Sequence, residues 1–269
     1  MGTGSEALKA IIAPSRAEAW LEAAIHLGRQ QKGEDYNIIL EIEHPNIGNE
    51  RSKEIEDYVD NFLVTRGVAS LHTIAETIFP TVEYLRNGSK GVYVNYAKEI
   101  YPKIKKLKEN QWGTYAHRLL CRKNAKGEDF VPLEACVDRL KAQLEKANIK
   151  GKGPYRAAYE LGIVDVATDI PIHVSGFNRR IYGGPCLSHV SFKLGRNHEL
   201  ILTAFYRSHY YMQRALGNLL GLARLQSFVA KNCGTEVGVL VCHSTFGKLE
   251  NLQGRWTKGE AIAAVKSLS

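Results

Sequence analysis

The chain has 269 residues, of which 44% are hydrophobic, 24% charged and 9% aromatic, a composition that excludes extensive disorder and allows a sizeable core. No run of eighteen apolar residues occurs, and the first ten residues lack a basic start followed by an apolar stretch. We therefore expect neither a membrane span nor a secretory signal, and we predict a cytoplasmic location.

The net charge of +8 favours anionic partners without identifying the anion. Basic residues are scattered along the sequence, and the densest run is Lys103, Lys105, Lys106 and Lys108. We interpret this run as a solvated helix face, because the sequence has no nucleic-acid-binding motif with interleaved aromatic residues. Small phosphorylated ligands remain open, and nucleic acid is not the expected partner.

The five cysteines are odd in number and irregularly spaced, which does not predict a disulfide framework in a chain of this length. No Cys-x-x-Cys or His-Glu-x-x-His segment occurs, so the sequence predicts no zinc site. Each cysteine is either a small buried apolar residue or a nucleophile, and neighbouring residues must decide between the two.

Helical spacing first appears after Ser15, where a Ser-x-x-Glu capping signal precedes Trp20, Leu21 and Leu27 on one side of a helix. Residues 37–43 are typical of a strand. Three more helices are predicted over residues 71–84, 132–147 and 211–232, and the last is apolar enough to be buried.

Branched and aromatic residues predict strands over residues 172–174, 187–193, 199–206 and 237–242. Strands gathered in the second half, with helices before and between them, favour an α+β fold over an alternating parallel one. Residues 148–154 are typical of a surface loop or a domain seam, but the stretch is too short to establish a boundary. We predict a single domain over residues 1–269.

Residues 185–218 carry the most informative pattern, PCLSHVSFKLGRNHELILTAFYRSHYYMQRALGN. A Pro-Cys pair with Cys186 comes first, Arg207-Ser208 follow at the end of a predicted strand, and Asn218 lies in the apolar helix. This order and spacing resemble the thymidylate synthase and nucleotide hydroxymethylase family. The resemblance extends over about residues 71–245, whereas residues 1–70 diverge from it.

The resemblance implies a thymidylate synthase-like fold, with a large mixed sheet flanked by helices and a long buried helix. It also assigns roles: Cys186 as the nucleophile that adds to C6 of a pyrimidine, Arg207 and Ser208 as phosphate ligands, and Asn218 as the reader of the base edge. These residue types suit the chemistry, since a thiolate adds to C6, a guanidinium fork fits phosphate, and an amide matches the O4 and N3-H edge of uracil. Taken singly, Cys186 could be a core residue and Arg207-Ser208 a surface turn.

Further residues follow from the same resemblance. Glu76, in LHTIAETIFP, corresponds to the catalytic glutamate, although a helix-surface position is its structural alternative. Arg156 corresponds to an arginine that reaches the phosphate site of a partner subunit. A second arginine of that motif is replaced by Ala157, and Arg179 or Arg180 could substitute for it. The family assembles as homodimers, so the resemblance implies a homodimer here.

Aromatic residues that line the folate pocket in the family correspond to Tyr93 and Tyr96, and the family's Tyr-Gly tyrosine corresponds to Trp112 or Tyr115. The resemblance implies 5,10-methylenetetrahydrofolate as cofactor. Other positions depart from the pattern. Tyr210 stands where the family has its pterin-binding aspartate, Lys248 and Glu250 replace its ribose-binding His-x-Tyr pair, and its hydrophobic C-terminal tail is not recognisable.

The sequence therefore predicts an enzyme that transfers a methyl or hydroxymethyl group to C5 of a pyrimidine nucleoside monophosphate through a covalent cysteine adduct. Because of the departures, the base, the sugar and the product stay open. The alternative is a nucleotide-binding homologue without folate chemistry that acts as a sensor or regulatory protein. A nucleic-acid-binding protein, suggested by the charge alone, ranks last.

Overall fold

The computed structural model describes residues 10–107, 113–124, 126–150, 153–164 and 185–269. Its residues group into two compact units that interleave in sequence. The first unit draws on Met1–Ala75, Leu202–Ala223 and Gly238–Ser269, and the second on Glu76–Ile201 and Arg224–Val237.

The described strands are β1 Ala10–Ala13, β2 Glu34–Ile42, β3 Arg122–Lys123, β4 Asp129–Phe130, β5 Tyr159–Gly162, β6 Leu187–Leu194, β7 Leu200–Tyr206, β8 His209–Tyr210 and β9 Val237–Lys248. Seven of them form a mixed sheet in the order β1-β2-β9-β7-β6-β5, with β8 paired to β9. β1 is parallel to β2, and β2 is antiparallel to β9. β3 and β4 form a separate two-stranded hairpin.

The described α-helices are α1 Arg16–Arg29, α2 Glu50–Thr65, α3 Leu71–Glu76, α4 Thr81–Lys90, α5 Tyr101–Ile104, α6 Tyr115–Leu120, α7 Pro132–Lys150, α8 Leu216–Cys233 and α9 Lys258–Lys266. A π-helical segment, Gly91–Ile100, joins α4 to α5, and a π-helical turn, Tyr211–Ala215, precedes α8. None of the described helices is long and apolar enough to cross a lipid bilayer.

In the first unit, α1 packs against β2, α2 and α9. The Ser15 side chain caps α1 by accepting a hydrogen bond from the Glu18 N–H at 3.2 Å, as the capping signal predicts. Trp20 lies wholly in the core of this unit, and its indole N–H donates to the Tyr211 carbonyl at 2.7 Å. This bond fixes the π-helical turn against α1, because a buried indole N–H needs an acceptor.

In the second unit, the chain from α4 through the π-helical segment to α5 is helical except for a kink at Gly88, where φ is 61°, and the π-helical segment packs on α6. α7 packs on α6 and β5, and β5 pairs with β6 in antiparallel register. Cys186 lies immediately before β6, and α6 begins after the Thr114 cap. These two elements therefore position the cysteine.

The helix predicted over residues 71–84 is wrong as one helix: it ends at Glu76 and resumes at Thr81. Pro80 explains the break, since it lacks an N–H and disfavours helical conformation at the residue before it. The helix predicted over residues 211–232 begins as the π-helical turn before it becomes α8. The predicted strand 172–174 lies outside the described residues.

The remaining predicted elements are present as β2, α7, β6, β7 and β9. The sequence did not indicate β1, β3, β4, β5, β8, α2, α6 or α9. A mixed α/β architecture with a large mixed sheet flanked by helices agrees with the predicted α+β class, whereas its thymidylate synthase-like form stays a prediction.

Candidate functional site

Cys186 is half-buried at the entrance to β6, and its backbone is held by Tyr115. The Tyr115 hydroxyl oxygen accepts hydrogen bonds from the N–H groups of Cys186 at 3.3 Å and Leu187 at 3.4 Å. Tyr115 is itself fixed as the first residue of α6, where the Thr114 side chain accepts a hydrogen bond from the His117 N–H at 3.1 Å. A phenol thus lies directly against the predicted nucleophile's backbone.

Gly113 makes the turn into α6 possible. Its φ of 88° lies in the left-handed region, and a Cβ at this position would come within 3.0 Å of the His117 ring. Glycine is therefore the residue that suits this position. Of the two candidates for the family's tyrosine, Tyr115 is the one found against Cys186, whereas Trp112 lies outside the described residues.

The other four cysteines are unsuited to act as nucleophiles at neutral pH. Burial raises the pKa of Cys121 to about 11 and the pKa values of Cys136, Cys233 and Cys242 to about 12. A thiol with such a pKa is almost entirely protonated at pH 7, and the thiolate is the reactive form. The case for Cys186 as the nucleophile rests on the resemblance and on its position before β6.

Glu76 lies at the end of α3 and bridges to the start of α4. Its carboxylate accepts hydrogen bonds from the N–H groups of Thr81 at 3.1 Å and Val82 at 3.4 Å, and it lies 3.4 Å from an Nη1 of Arg224. Burial raises the pKa of Glu76, and these partners partly oppose the effect. A half-buried carboxyl with a raised pKa suits general acid-base work, and the same contacts also cap α4.

Asn218 lies in the first turn of α8 and is buried. Its amide Nδ2 donates to Nε2 of His209 at 3.0 Å, and Nδ1 of His209 is 3.0 Å from the Ser244 hydroxyl. Burial lowers the pKa of His209 to about 3, so the ring is neutral, with Nε2 accepting from the amide and Nδ1–H donating to Ser244. Asn218 Oδ1 and its second N–H form no hydrogen bond within the described part of the chain, which leaves one acceptor and one donor for a ligand.

Close packing fixes the helix turn that carries Asn218. A Cβ on the preceding residue, Gly217, would lie 2.7 Å from the Ile74 side chain and 3.2 Å from the Leu71 carbonyl oxygen. The glycine therefore lets α8 approach α3 closely. His209 is fixed equally well, because its ring stacks on Tyr206 with 4.0 Å between ring centroids.

Arg207 and Ser208 lie between β7 and β8 and directly precede His209. Arg207 is exposed and Ser208 is half-buried. The Thr245 hydroxyl donates to the Arg207 carbonyl at 2.9 Å, so the backbone of this loop is tied to β9. An exposed guanidinium beside a hydroxyl on an anchored loop is a suitable arrangement for binding phosphate oxygens.

Arg156 is exposed in the segment before β5, as a residue that reaches another subunit would be. Arg179 and Arg180 lie outside the described residues. Their predicted roles stay predictions.

The predicted folate contacts do not assemble beside Cys186 within the described residues. Tyr96 is 1% exposed, and its hydroxyl pairs with the Thr114 hydroxyl at 2.7 Å, so its ring has no open face. Tyr93 lines a cavity whose lining includes neither Cys186 nor Glu76. A one-carbon donor must meet the carbon that Cys186 activates, and we therefore derive no step from these contacts.

The positions that depart from the family pattern have structural partners here. Lys248 forms an ion pair with Glu34 at 2.5 Å. Glu250 is buried, and its carboxylate accepts hydrogen bonds from the N–H groups of Met212 at 3.2 Å and Gln213 at 2.7 Å. Tyr210 is 46% exposed on β8. Lys248 and Glu250 thus have partners within the first unit.

The structure thus brings Tyr115 to Cys186 and Arg224 to Glu76 in the second unit, and it groups Asn218, His209 and the Arg207-Ser208 loop in the first. Sequence reasoning missed His209, Ser244 and Arg224. His209 directly follows Arg207-Ser208, and a histidine beside a predicted phosphate loop was the available signal. The described residues contain no group of three or more side chains suited to hold a metal ion.

Comparison with models of known protein families gives no match, and comparison with curated proteins gives none either.

Proposed function

We propose that this protein is a pyrimidine nucleotide C5 one-carbon transferase that works through a covalent adduct between Cys186 and C6 of a nucleoside monophosphate. The observation that carries the proposal is the hydrogen bonding of the Cys186 and Leu187 N–H groups to the Tyr115 hydroxyl. It supports the proposal because it fixes the backbone of the cysteine that the resemblance assigns as the nucleophile, and it sets a polar hydroxyl beside that backbone.

In the proposed reaction the Cys186 thiolate forms a bond to C6, and the electron pair of the C5–C6 double bond moves to C5. C5 then attacks the carbon of an activated one-carbon donor, and the donor departs with the electron pair of the bond that breaks. A hydroxymethyl product takes its oxygen from water and needs no reductant, whereas a methyl product from a donor at the methylene level also needs two electrons from that donor. Loss of the C5 proton, followed by cleavage of the C6–S bond, restores the double bond and releases the thiolate. Glu76 suits the proton transfers, because its carboxyl is half-buried and its pKa is raised.

Substrate recognition in this proposal falls to the first unit. Asn218 offers one free acceptor and one free donor, the pair that a pyrimidine edge at N3 and position 4 requires. Arg207 and Ser208 bind the phosphate, and Arg156 adds a phosphate ligand from the partner in a homodimer. The tetrahydrofolate donor stays part of the prediction from resemblance, and the proposal needs only an activated one-carbon unit.

Hydrogen exchange at C5 tests the proposal without any donor. Protein is incubated with C5-tritiated dUMP, UMP, dCMP and CMP in turn, and release of tritium to water is measured. We expect tritium release from one of these nucleotides and loss of that release in Cys186→Ala. The matched variant Cys233→Ala should still release tritium, because burial raises the pKa of the Cys233 thiol that it removes to about 12. A Cys186→Ala variant that exchanges as the wild type does would refute the nucleophile.

Two further outcomes are decisive. Tight nucleotide binding without exchange would replace the proposal with the sensor alternative. No binding of any pyrimidine monophosphate would contradict both. If exchange is found, adding 5,10-methylenetetrahydrofolate and analysing the product by mass spectrometry separates a methyl from a hydroxymethyl product.

A further inference from the structure

A cavity of about 970 Å³ in the second unit is formed by the π-helical segment, α6 and the β3–β4 hairpin. Its size is that of a small-molecule pocket, for which volumes of about 300–1,000 Å³ are typical. Neither Cys186 nor Glu76 lines it. The residues proposed to recognise the nucleotide do not line it either, namely Asn218, Arg207 and Ser208. The cavity is therefore separate from the proposed reaction.

The charge around this cavity is strongly positive. Lys98, Arg118, Arg122 and Lys123 line it, against one acidic residue, Asp129. Asp129 pairs with Lys123 at 2.7 Å. Lys98 forms no ion pair with a described residue. Arg122 Nη2 donates to the carbonyl oxygens of Gly162 and Ile163 at 3.0 Å, and these neutral groups fix the guanidinium without cancelling its charge.

The same cavity has an aromatic and apolar wall. Tyr93, Val94, Leu120, Phe130 and Val131 line it, and Phe130 is 41% exposed. The Tyr93 hydroxyl is buried without a hydrogen-bond partner among the described residues. Exposed aromatic surface next to fixed cations suits a ligand that carries both a ring and a negative charge.

His117 also lines the cavity, and its pKa is affected by the positive charges nearby. Burial, together with the charges of Arg118, Lys105 and Arg122, lowers its pKa to about 4, so the ring is neutral at pH 7. The Cys121 thiol, with a pKa raised to about 11 by burial, is protonated there. We therefore assign no covalent step to this thiol.

We propose that this cavity binds a planar organic anion, an aromatic ring system bearing a carboxylate, sulfonate or phosphate group. The ring packs against Phe130 and Tyr93, and the anionic group lies near Lys98 and Arg122. Charge-assisted contacts with the fixed Arg122 guanidinium and the exposed Lys98 ammonium supply the selectivity for an anion over a neutral ring of the same shape.

Two fluorescent probes of matched shape test the proposal. 8-Anilinonaphthalene-1-sulfonate carries the rings and a negative charge, whereas N-phenyl-1-naphthylamine carries the rings alone. We expect saturable binding of the sulfonate with one site per chain, about fivefold or more tighter than the neutral probe, and weaker in high salt. Equal affinities for the two probes would overturn the proposal.

Variants locate the site. Lys98 is exposed, so Lys98→Gln leaves the fold intact, and we expect it to weaken the sulfonate about fivefold without changing the neutral probe. Lys53→Gln, at an exposed residue of α2, removes the same charge from the molecule and should change neither. Phe130→Ala should weaken both probes. A Lys98→Gln variant that binds the sulfonate as the wild type does would refute the site.

Discussion

At the scale of single residues, buried hydrogen bonds between side chains fix the orientation of the proposed base-reading residue, Asn218. Asn218, His209 and Ser244 form a chain in the interior of the first unit, and Tyr206 stacks on the middle member. Because the His209 ring is neutral, its two nitrogens have opposite roles, and the amide of Asn218 is held in one orientation. His209 is thus a positioning residue for the proposed reader of the base.

We predict that His209→Phe, which keeps a planar ring but no nitrogen, lowers the free energy of unfolding by about 1–3 kcal/mol, since two buried polar groups lose their partner. In a double-mutant cycle with Asn218→Ala, the two effects should couple by at least about 0.5 kcal/mol. Urea denaturation measures both quantities.

The control for this prediction is His243→Phe on β9, where the ring bonds Asn37 near the surface at 3.1 Å. We expect it to change stability by no more than about 0.5 kcal/mol. Strict additivity of His209→Phe and Asn218→Ala would contradict the positioning role.

At the scale of secondary-structure elements, two carboxylates cap the starts of helical segments. Glu76 accepts the first N–H groups of α4 across the break that Pro80 imposes, and Glu250 accepts those of Met212 and Gln213 where the π-helical turn begins. A carboxylate at a helix start satisfies backbone donors that lack partners within the helix. Glu250 is buried more completely, and its pKa is raised to about 7.

The pH dependence of stability should report on Glu250. Its pKa is about 7 in the folded chain, against 4.5 as the ordinary value, so folding favours the protonated form. The contribution of protonated Glu250 to the free energy of unfolding is therefore full below about pH 4.5. It is lost as the pH rises towards 7, by an amount on the order of 3 kcal/mol at most.

Glu250→Gln should therefore flatten the fall in unfolding free energy between pH 5 and pH 7, as followed by denaturant titration at each pH. Glu236→Gln, at an exposed carboxyl, provides the comparison and should keep the wild-type slope. If Glu250→Gln retained that slope as well, another group would be responsible for it.

At the scale of the whole molecule, the basic residues that give the net charge of +8 have several different roles. Arg207 and Arg156 are exposed cations proposed to meet a nucleotide phosphate, and Lys98 and Arg122 belong to the cationic cavity. Other basic residues form ion pairs, as Lys248 does with Glu34. The anion that the charge favours is thus proposed to be of two kinds, a nucleotide and an aromatic acid.

The homodimer implied by the resemblance gives a prediction at this scale. If Arg156 acts across subunits, Cys186→Ala and Arg156→Ala should each lack C5 exchange alone, and mixed dimers should regain part of it, because one site receives both intact residues. The exchange assay on refolded mixtures measures this, with light scattering to establish the dimer. A monomeric wild type, or mixtures as inactive as their components, would contradict the prediction.

Local signals in the sequence predicted several elements well. The Ser15 cap indicated the start of α1, and branched and aromatic residues located β6, β7 and β9. Prediction failed for β1 because neighbours in space decided the outcome: β1 has four residues and is held by parallel pairing with β2. The break between α3 and α4 has a different cause, since Pro80 is a local stop signal that the helical spacing over residues 71–84 outweighed. Glu76 then caps α4 across the break, a contact that the sequence does not show.

By itself, the sequence determined the chemistry available: a Pro-Cys pair, an Arg-Ser pair and an asparagine within an apolar helix, at spacings that resemble a nucleotide-modifying family. Only the tertiary structure decided which groups meet. It set the Tyr115 hydroxyl against Cys186, turned Glu250 inward to cap a helical turn, enclosed Tyr96 and left Tyr93 on a cationic cavity. The reason is physical, because residue type and spacing fix what a side chain can do, whereas burial and hydrogen-bond partners far apart in sequence fix what it does.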